Sequence, residues 1–432
     1  MILRMNISFT KPGGGRRAAA LAGGCVLVLT ALGAAGAAHA QPAIELPADA
    51  AAPAPVTALP RETAVENALG RGGVLQGSAF GGYGELTLNA PGKYVLDSPP
   101  EATIDLRRFV LFFGHNFSDR LRFYSELEVE HAVSSAGDRG EAEVEQAYID
   151  GLLSRRVSLR GGLMIVPVGI INVYHEPPTF NGVDRPAVDT YVIPTTWREP
   201  GIGIFGELRE GVRYQLYLLN GLNANGFTAE TAIREGHQEA QLAHAGDWGG
   251  VVRLDCEPTL GTIIGGSAYY ATSGNSLTSA VGKVPVSLFE ADARTRIGGF
   301  TARAEVAFLF IGDAAALNVA LRDATPAGDP APDPVASQSR GGYVEAGYDL
   351  LRVLAPGSEQ SVTLFGRFDY ADTQASVPSG FVANPAFRRT IYTVGLTYRP
   401  VMQIGLKLDY RRHVFGAGPS GNELAAAITW MF

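Results

Sequence analysis

Ionisable side chains that could do chemistry are most concentrated between Tyr174 and Pro200. Apart from its tyrosines, the stretch "YHEPPTFNGVDRPAVDTYVIPTTWREP" contains seven of them: His175, Glu176, Asp184, Arg185, Asp189, Arg198 and Glu199. A histidine beside a carboxylate is a combination that binds metals or moves protons. Adjacent residues followed by a proline lack the usual spacing of metal ligands, so we predict no metal here. The charges either sort solutes in a constriction or pair with one another as a scaffold, and the sequence leaves both interpretations open.

The elements that must position this stretch are strands, because polar and apolar side chains alternate with a period of two residues along most of the chain. In "LRFYSELEVEHA", Glu126, Glu128 and Glu130 share one face with Arg122, and Leu127 lies on the other. The segments "VRYQLYLLNG", "FTARAEVAFLF" and "MQIGLKLDYRR" alternate in the same way. This pattern predicts strands with one polar face and one apolar face.

The connections between these strands are alternately short and long. Short ones include "LSRR", "REG" and "RPVM", and long ones include the segments 169–199, 222–248 and 312–340. Tight turns at one rim and long loops at the other are typical of a membrane barrel. Lipid cannot hydrogen-bond an open sheet edge, so the last strand must pair with the first. We predict an all-β fold, a closed transmembrane antiparallel β-barrel of about sixteen strands over residues 78–432, with fourteen or eighteen strands left open.

The connection over 169–199, which is the third long connection in the order of the chain, is rich in prolines and aromatic side chains. Its prolines disfavour strand pairing, whereas Tyr174, Phe180, Tyr191 and Trp197 make it too apolar for a mobile exposed loop. A long loop of this kind is usually functional. We predict that it folds inward, packs on the barrel wall and narrows the channel.

Both ends of the chain carry signals. Basic residues precede an apolar run that closes on Ala38–His39–Ala40, which predicts a Sec signal peptide over 1–40; a lipoprotein signal at Cys25 is a weaker alternative. The Ala/Pro-rich segment 41–77 predicts a periplasmic linker. At the other end, Ile428, Trp430 and Phe432 share one strand face, and we expect this strand to close the barrel with its aromatics at the membrane boundary.

Charge argues against a nucleic-acid partner, because removing 1–40 changes the formal net charge from −8 to −12. On the predicted register, the basic residues of the inner face are Arg107, Arg122, Arg160, Arg213, Arg253, Arg294, Arg303, Arg367, Lys407 and Arg411. The acidic ones are Glu85, Asp105, Glu126, Glu128, Glu130, Asp150, Glu207, Asp255, Glu290, Asp292, Glu305, Glu345, Asp349, Asp369 and Asp409. Acidic walls concentrate cations, so this count favours a weakly selective or mildly cation-preferring pore.

The stretch "VPVGIINVYHEPPTFNGVDRPAVDTYVIPTTWREPGIGIFG", with "AFGGYGELTL" and "IDLRRFVLFFGHNF", resembles the phosphate-selective porin O and P family of bacterial outer-membrane proteins. The resemblance implies a homotrimeric channel of the Gram-negative outer membrane, without a cofactor, that passes small hydrophilic solutes down a gradient. It places the barrel among outer-membrane lipid and lipopolysaccharide. The terminal Phe432, with apolar residues alternating behind it, is similar to the mark read by the barrel-assembly machinery.

Three alternatives remain. A phosphate- or anion-selective channel of the same family type would need arginine ladders and lysine clusters, which the sequence does not let us place. An outer-membrane hydrolase would need a nucleophile, a base and an orienting group. No G-x-S-x-G motif occurs, and no histidine stands in a recognisable nucleophile motif. An anchoring barrel of the small type would have fewer strands. We predict a channel without enzymatic activity.

Overall fold

The computed structural model describes residues 77–92, 101–135, 137, 139–274 and 281–432. The signal peptide predicted over 1–40 lies outside these residues, as does the linker predicted over 41–77 apart from Gly77. Within the described part of the chain, no helix is long and apolar enough to cross a membrane.

Sixteen strands dominate the structure and follow one another in chain order. They are β1 (Ser78–Pro91), β2 (Thr103–Ser118), β3 (Leu121–Glu130), β4 (Ala142–Leu152), β5 (Ser158–Ile165), β6 (Arg198–Arg209), β7 (Val212–Asn220), β8 (Trp248–Thr259), β9 (Thr262–Ser273), β10 (Val284–Ile297), β11 (Phe300–Ile311), β12 (Gln338–Asp349), β13 (Ser361–Ser376), β14 (Arg388–Val401), β15 (Ile404–Phe415) and β16 (Gly421–Met431).

Each strand pairs antiparallel with its neighbours in the chain, and β1 pairs with β16 to close the ring. At this seam Leu86 lies opposite Ile428 and Gly84 lies opposite Trp430. The main chain of Phe432 joins the seam: its N–H donates to the Gly82 carbonyl at 2.9 Å, and its carbonyl accepts from the Gly82 N–H at 3.0 Å. The predicted closed antiparallel barrel of sixteen strands is confirmed.

The part of the chain that the structure describes has four short α-helices in its connections: α1 (Ile170–Val173), α2 (Ala187–Tyr191), α3 (Ala314–Ala324) and α4 (Leu351–Leu354). Single 3₁₀ turns occur at Pro177–Thr179, Ala224–Gly226, Arg234–Gly236 and Pro385–Phe387. The sequence analysis recognised no helix in the connection that holds α3. Its sequence, "AAALNVALRDA", is rich in alanine and leucine, the strongest helix formers.

The third long connection is shorter than predicted, because β6 already begins at Arg198. Arg198 and Glu199 are therefore strand residues and were wrongly assigned to the loop. Pro200 also lies in β6, opposite Leu163 of β5. The pairing of β6 with β7 starts one residue later, at Gly201, so the missing N–H of the proline costs no ladder hydrogen bond on that side. We call residues 166–197 the third loop.

The two faces of the barrel wall differ in chemistry. Along β7, Leu216 and Leu218 are each 48% exposed, whereas their neighbours Gln215 and Tyr217 are buried on the inner face. Along β15, Leu406 and Leu408 are exposed and Lys407 is buried. Apolar side chains with nothing packed over them point outward, as expected of a wall that faces hydrocarbon.

This arrangement predicts the effect of an arginine on the outer face. Leu216→Arg should destabilise the barrel by ~2–4 kcal/mol if position 216 meets the bilayer core, and it should lower the amount of heat-modifiable, folded protein in outer-membrane fractions. Leu216→Ala is the control, because it removes the same side chain without adding a charge. Equal yields of the two variants would contradict the outward, lipid-facing assignment.

Candidate functional site

The third loop is packed against the barrel wall through apolar side chains. Val166, Val188 and Trp197 are fully buried and belong to one continuous hydrophobic cluster with wall residues that include Tyr269. The rings of Trp197 and Tyr269 meet edge to face with centroids 4.6 Å apart. An aromatic pair of this geometry stabilises beyond its buried area, so apolar packing attaches the loop to the wall.

Carboxylates of the wall accept hydrogen bonds from the loop's main chain. The N–H of Val183 donates to Asp409 Oδ2 at 2.7 Å. Two further bonds of the same kind run from Ile170 to Glu305 at 3.1 Å and from Ala187 to Asp369 at 3.0 Å. The three acceptors belong to β15, β11 and β13, so the loop is held by strands far from it in sequence.

Basic side chains of the wall donate to the loop's carbonyls. Lys407 Nζ reaches the carbonyl oxygens of Pro177 at 2.7 Å and Gly182 at 2.8 Å, and it lies 4.1 Å from the centre of the Phe180 ring. Arg303 and Arg399 donate in the same way, to Thr179 at 2.5 Å and to Pro178 at 3.2 Å. Wall charges of both signs therefore satisfy main-chain groups that lack partners within the loop.

Asp184 and Arg185 are the two predicted constriction residues that remain partly exposed. Asp184 is held between two guanidinium groups, at 2.6 Å from Arg107 and in direct contact with Arg411. Burial alone would raise the pKa of Asp184, but Arg411 and Arg107 hold it well below its usual range. Arg185 donates to the Thr195 carbonyl at 2.9 Å, and burial with the nearby Arg108 charge lowers its pKa to about 10.

His175 lies at the centre of a buried polar group. Its Nε2 atom is 2.9 Å from the Tyr83 hydroxyl, 3.4 Å from Glu145 Oε1 and 3.8 Å from Glu126 Oε2. Its Nδ1 atom lies 3.2 Å from the Asn172 carbonyl. Burial lowers the pKa of the imidazole, but the Glu145 and Glu126 carboxylates outweigh burial and raise the pKa well above its usual range.

The remaining predicted constriction residues, Glu176, Asp189, Arg198 and Glu199, are also buried. Arg198 pairs with Glu143 at 2.5 Å and with Glu239 at 3.2 Å. Glu199 accepts main-chain hydrogen bonds from Gln238 and Glu239 in the next long connection. These contacts match the scaffold interpretation for Arg198 and Glu199. A role in sorting solutes stays a prediction, and geometrically it is open to Asp184 and Arg185.

All twelve predicted pore-lining side chains lie on the inner face of their strands, but most are covered. The buried ones are Glu126, Glu128, Arg213, Glu305, Arg367, Asp369, Lys407 and Arg411; Arg107, Arg122, Glu130 and Arg303 keep some exposure. Among all the inner-face charges that we predicted, thirteen of fifteen acidic residues are buried, but only five of ten basic residues. Among these predicted residues, the ones that keep some exposure are therefore mainly basic, whereas the full sequence count was mainly acidic.

Alternation failed to find two inner-face residues because of β-bulges. In the pairing of β1 with β2, Glu85 lies opposite Arg108 and Leu86 lies opposite Leu106, so Arg107 is an extra residue between them. Arg108 is consequently on the inner face, where it lies 3.0 Å from Glu85. A second register shift, between β3 and β4, inserts Glu145 in the same way. A bulge reverses the inside–outside pattern beyond it, and the sequence carries no signal for its position.

The carboxylate of Asp189, for which the described residues provide no hydrogen-bond donor, predicts a pH dependence. Burial raises the pKa of Asp189 well above its usual range. The positive charges of Arg185 and Arg367 lower this pKa. The negative charges of Glu290, Glu305 and Asp369 raise it further. A carboxyl whose folded pKa is raised stabilises the fold most below its unfolded pKa, and this stability is lost as pH rises through the folded pKa. Asp189→Asn should therefore stabilise the barrel at about pH 8, by about 1–3 kcal/mol, and have little effect at about pH 3.

Thermal unfolding followed by the heat-modifiable mobility shift measures this difference across the pH range. Asp323→Asn is the matched control, since that carboxylate is exposed on α3 beside Arg322. If Asp189→Asn were less stable than the parent at high pH, the raised pKa assigned to Asp189 would be contradicted.

Comparison with known proteins places the fold and the family. No family model matches the chain. It is 34% identical over 363 residues to an uncharacterised protein of Aquifex aeolicus, covering 83% of this chain and 81% of that protein.

Solved structures with similar folds include outer-membrane proteins, and each of those named below covers 82% of the chain. They include OmpF of Salmonella typhi in complex with daunomycin (11% identity, 97% of that chain, TM-score 0.55) and the channel DcaP of Acinetobacter baumannii (12%, 98%, 0.53). A loop-deletion mutant of OmpT from Vibrio cholerae is similar at 9% identity, over 99% of its chain, with a TM-score of 0.50. The chain therefore has the fold of outer-membrane porins and belongs to the same family as the Aquifex aeolicus protein.

Proposed function

We propose that this protein is a passive channel of the Gram-negative outer membrane, through which small hydrophilic solutes diffuse, and not an enzyme. The observation that carries the proposal is a closed ring of sixteen strands with an apolar outer face and a charged inner face. A barrel of this size leaves an aqueous channel, and charged inner side chains are stable only beside water or other polar groups.

We further propose that the third loop crosses the bore and sets its width. In support, His175 contacts Glu145 of β4, and the side chain of Asn181 donates to Glu345 of β12 at 3.0 Å. The strands β4 and β12 are eight places apart in a ring of sixteen, so they stand on opposite sides. A segment that reaches both walls narrows the passage between them.

The accessible charges favour a second candidate, a channel that prefers anions. Arg296, Arg303 and Arg399 lie close enough for their charges to interact, near the tight turns, and none of them is fully buried. The mild cation preference expected from sequence rested on a count that included every inner-face carboxylate. Most of these carboxylates are buried in the structure. Because only accessible charge sets the local concentration of ions, we give anion preference more weight than the sequence did. Selectivity for phosphate, as in porins of the O and P type, is a narrower form of the same proposal.

Export, assembly and oligomeric state are proposed on the resemblance alone. We propose that residues 1–40 direct Sec export, that the barrel-assembly machinery reads the Ile428, Trp430 and Phe432 face, and that three copies assemble among outer-membrane lipid and lipopolysaccharide. In the structure, the side chains of Ile428 and Phe432 are exposed on the outer face.

Reversal potentials in planar bilayers test the preference. In a KCl gradient the parent channel should reverse on the chloride side of zero, and Arg296→Gln, Arg303→Gln and Arg399→Gln together should lower that potential by about half or more. The matching triple change to lysine keeps the charge and should keep the potential. Reversal on the potassium side in the parent would contradict anion preference, and a failure to conduct at all would contradict the channel.

Substitution of Lys407 tests the role of the third loop. Lys407→Met removes the donor to two loop carbonyls, each of which costs about 1–3 kcal/mol when left unsatisfied in a buried place. We expect a looser loop, seen as larger or noisier single-channel conductance. Lys283→Met is the control, because Lys283 is exposed and bonds to Gly246 outside the third loop. Unchanged conductance in Lys407→Met would argue against a loop that limits the bore.

A further inference from the structure

The buried group around His175 has the composition and spacing of a metal site. One ligand atom each from Glu126, Glu145 and His175 lies within 4.8 Å of the others. The three side chains come from β3, β4 and the third loop. We propose that they bind a divalent transition-metal ion of the zinc type, which fastens the third loop to the barrel wall. The proposal goes beyond passage through the channel, because metal binding does not depend on which solute passes.

The distances from the imidazole to the two carboxylates approach those around a small four-coordinate ion. Atoms bound to zinc at about 2.0–2.2 Å in a tetrahedron lie about 3.3–3.6 Å apart. The His175 Nε2 atom is 3.4 Å from Glu145 Oε1 and 3.8 Å from Glu126 Oε2. The Tyr83 hydroxyl, 2.9 Å from the same nitrogen and 3.1 Å from Glu145 Oε2, supplies a fourth polar atom at the edge of the site.

The imidazole is oriented as a ligand. Its Nδ1 atom faces the Asn172 carbonyl at 3.2 Å, and a carbonyl can only accept, so Nδ1 carries a proton. The Tyr83 hydroxyl gives its one proton to Glu145 and can only accept from Nε2, so without a metal ion Nε2 is protonated as well. A metal ion would take the place of this Nε2 proton, which is released, and bind the lone pair of the atom that points at both carboxylates. Histidine ligands of metals commonly donate their second nitrogen to a carbonyl in this way.

The charge at this place calls for a cation. Arg108 is 3.0 Å from Glu85 and Arg198 is 2.5 Å from Glu143, so each guanidinium has a carboxylate partner elsewhere. Within the described residues, His175 is the one basic side chain in ion-pair contact with Glu126 or Glu145. An imidazolium balances one carboxylate, whereas a divalent ion with a neutral imidazole balances both, and unbalanced charge is costly when buried.

An unsatisfied oxygen points independently to a ligand. Glu145 is fully buried, and its Oε1 atom receives no hydrogen bond from the described part of the chain, although its Oε2 atom accepts from Tyr83. The unsatisfied Oε1 is the oxygen that faces His175 Nε2. Buried polar atoms nearly always have partners, and a metal ion between these two atoms would supply the missing one.

The donor set selects the class of ion. One imidazole nitrogen with two carboxylates suits zinc and neighbouring divalent transition metals. Calcium requires six to eight oxygens in a larger cage, which these residues do not form. Because His175 belongs to the third loop, the site is complete only when the loop is docked, so metal binding and docking stabilise each other.

Direct metal binding tests the proposal. The chain is unfolded with EDTA, refolded in detergent with Zn²⁺, freed of excess metal by gel filtration, and analysed for zinc per chain. We expect one zinc per folded parent chain. Glu145→Gln and His175→Gln should each weaken binding by at least about tenfold, the loss seen when even an outer-shell partner of a metal site is removed. His413→Gln is the control, because His413 contacts a carboxylate, Glu423, at 3.1 Å without a second one, and it should bind zinc as the parent does.

X-ray absorption at the zinc edge keeps the test decisive if a variant folds poorly. The parent should show a shell of nitrogen and oxygen at about 2.0 Å with a single imidazole. Any one of three results would overturn the site. The parent could retain no zinc, or its zinc could have two or more imidazole ligands. In the third case, folded Glu145→Gln and His175→Gln proteins would retain zinc as well as the parent does.

Discussion

The main chain of the third loop has little regular secondary structure, and this constraint determines the chemistry of the barrel interior. Buried N–H and carbonyl groups must find partners. In this protein the partners are side chains of the wall: Glu305, Asp369 and Asp409 accept from the loop, and Lys407 and Arg303 donate to it. The charged inner face is therefore first a complement to one segment of main chain, and only what remains uncovered can meet a solute.

This use of charge explains why counting ionisable residues is a poor guide to selectivity. A carboxylate such as Asp369 is fully buried against the loop and contributes little to the field in open water, whereas a partly exposed guanidinium such as Arg303 contributes more. The sign of the accessible charge is set by which residues the loop covers. Two channels with the same composition and different loop paths would differ in selectivity.

Much of the fold could be predicted from sequence for two reasons. A period of two residues determines which side chains face water, and a sheet edge cannot stay open in lipid. Closure and antiparallel order follow from these two facts, whereas counting the alternating segments predicts only about sixteen strands and leaves fourteen or eighteen open. The bulges could not be predicted, since an extra residue such as Glu145 becomes visible only when two strands are paired. The contacts of the loop were equally hidden: Val183 and Asp409 are 226 positions apart, and no local pattern connects them.

The sequence distance of these contacts also sets an order of events in assembly. The acceptors for Ile170, Ala187 and Val183 lie 135, 182 and 226 positions further along the chain. The third loop is made midway through synthesis, yet its main chain cannot be satisfied until β11, β13 and β15 stand in the ring. Contacts of such long range carry a large loop-closure entropy and form late. The hydrogen bonds that fix the main chain of the loop therefore cannot form before these three strands are in place, which makes docking of the loop a late step in the folding of the barrel.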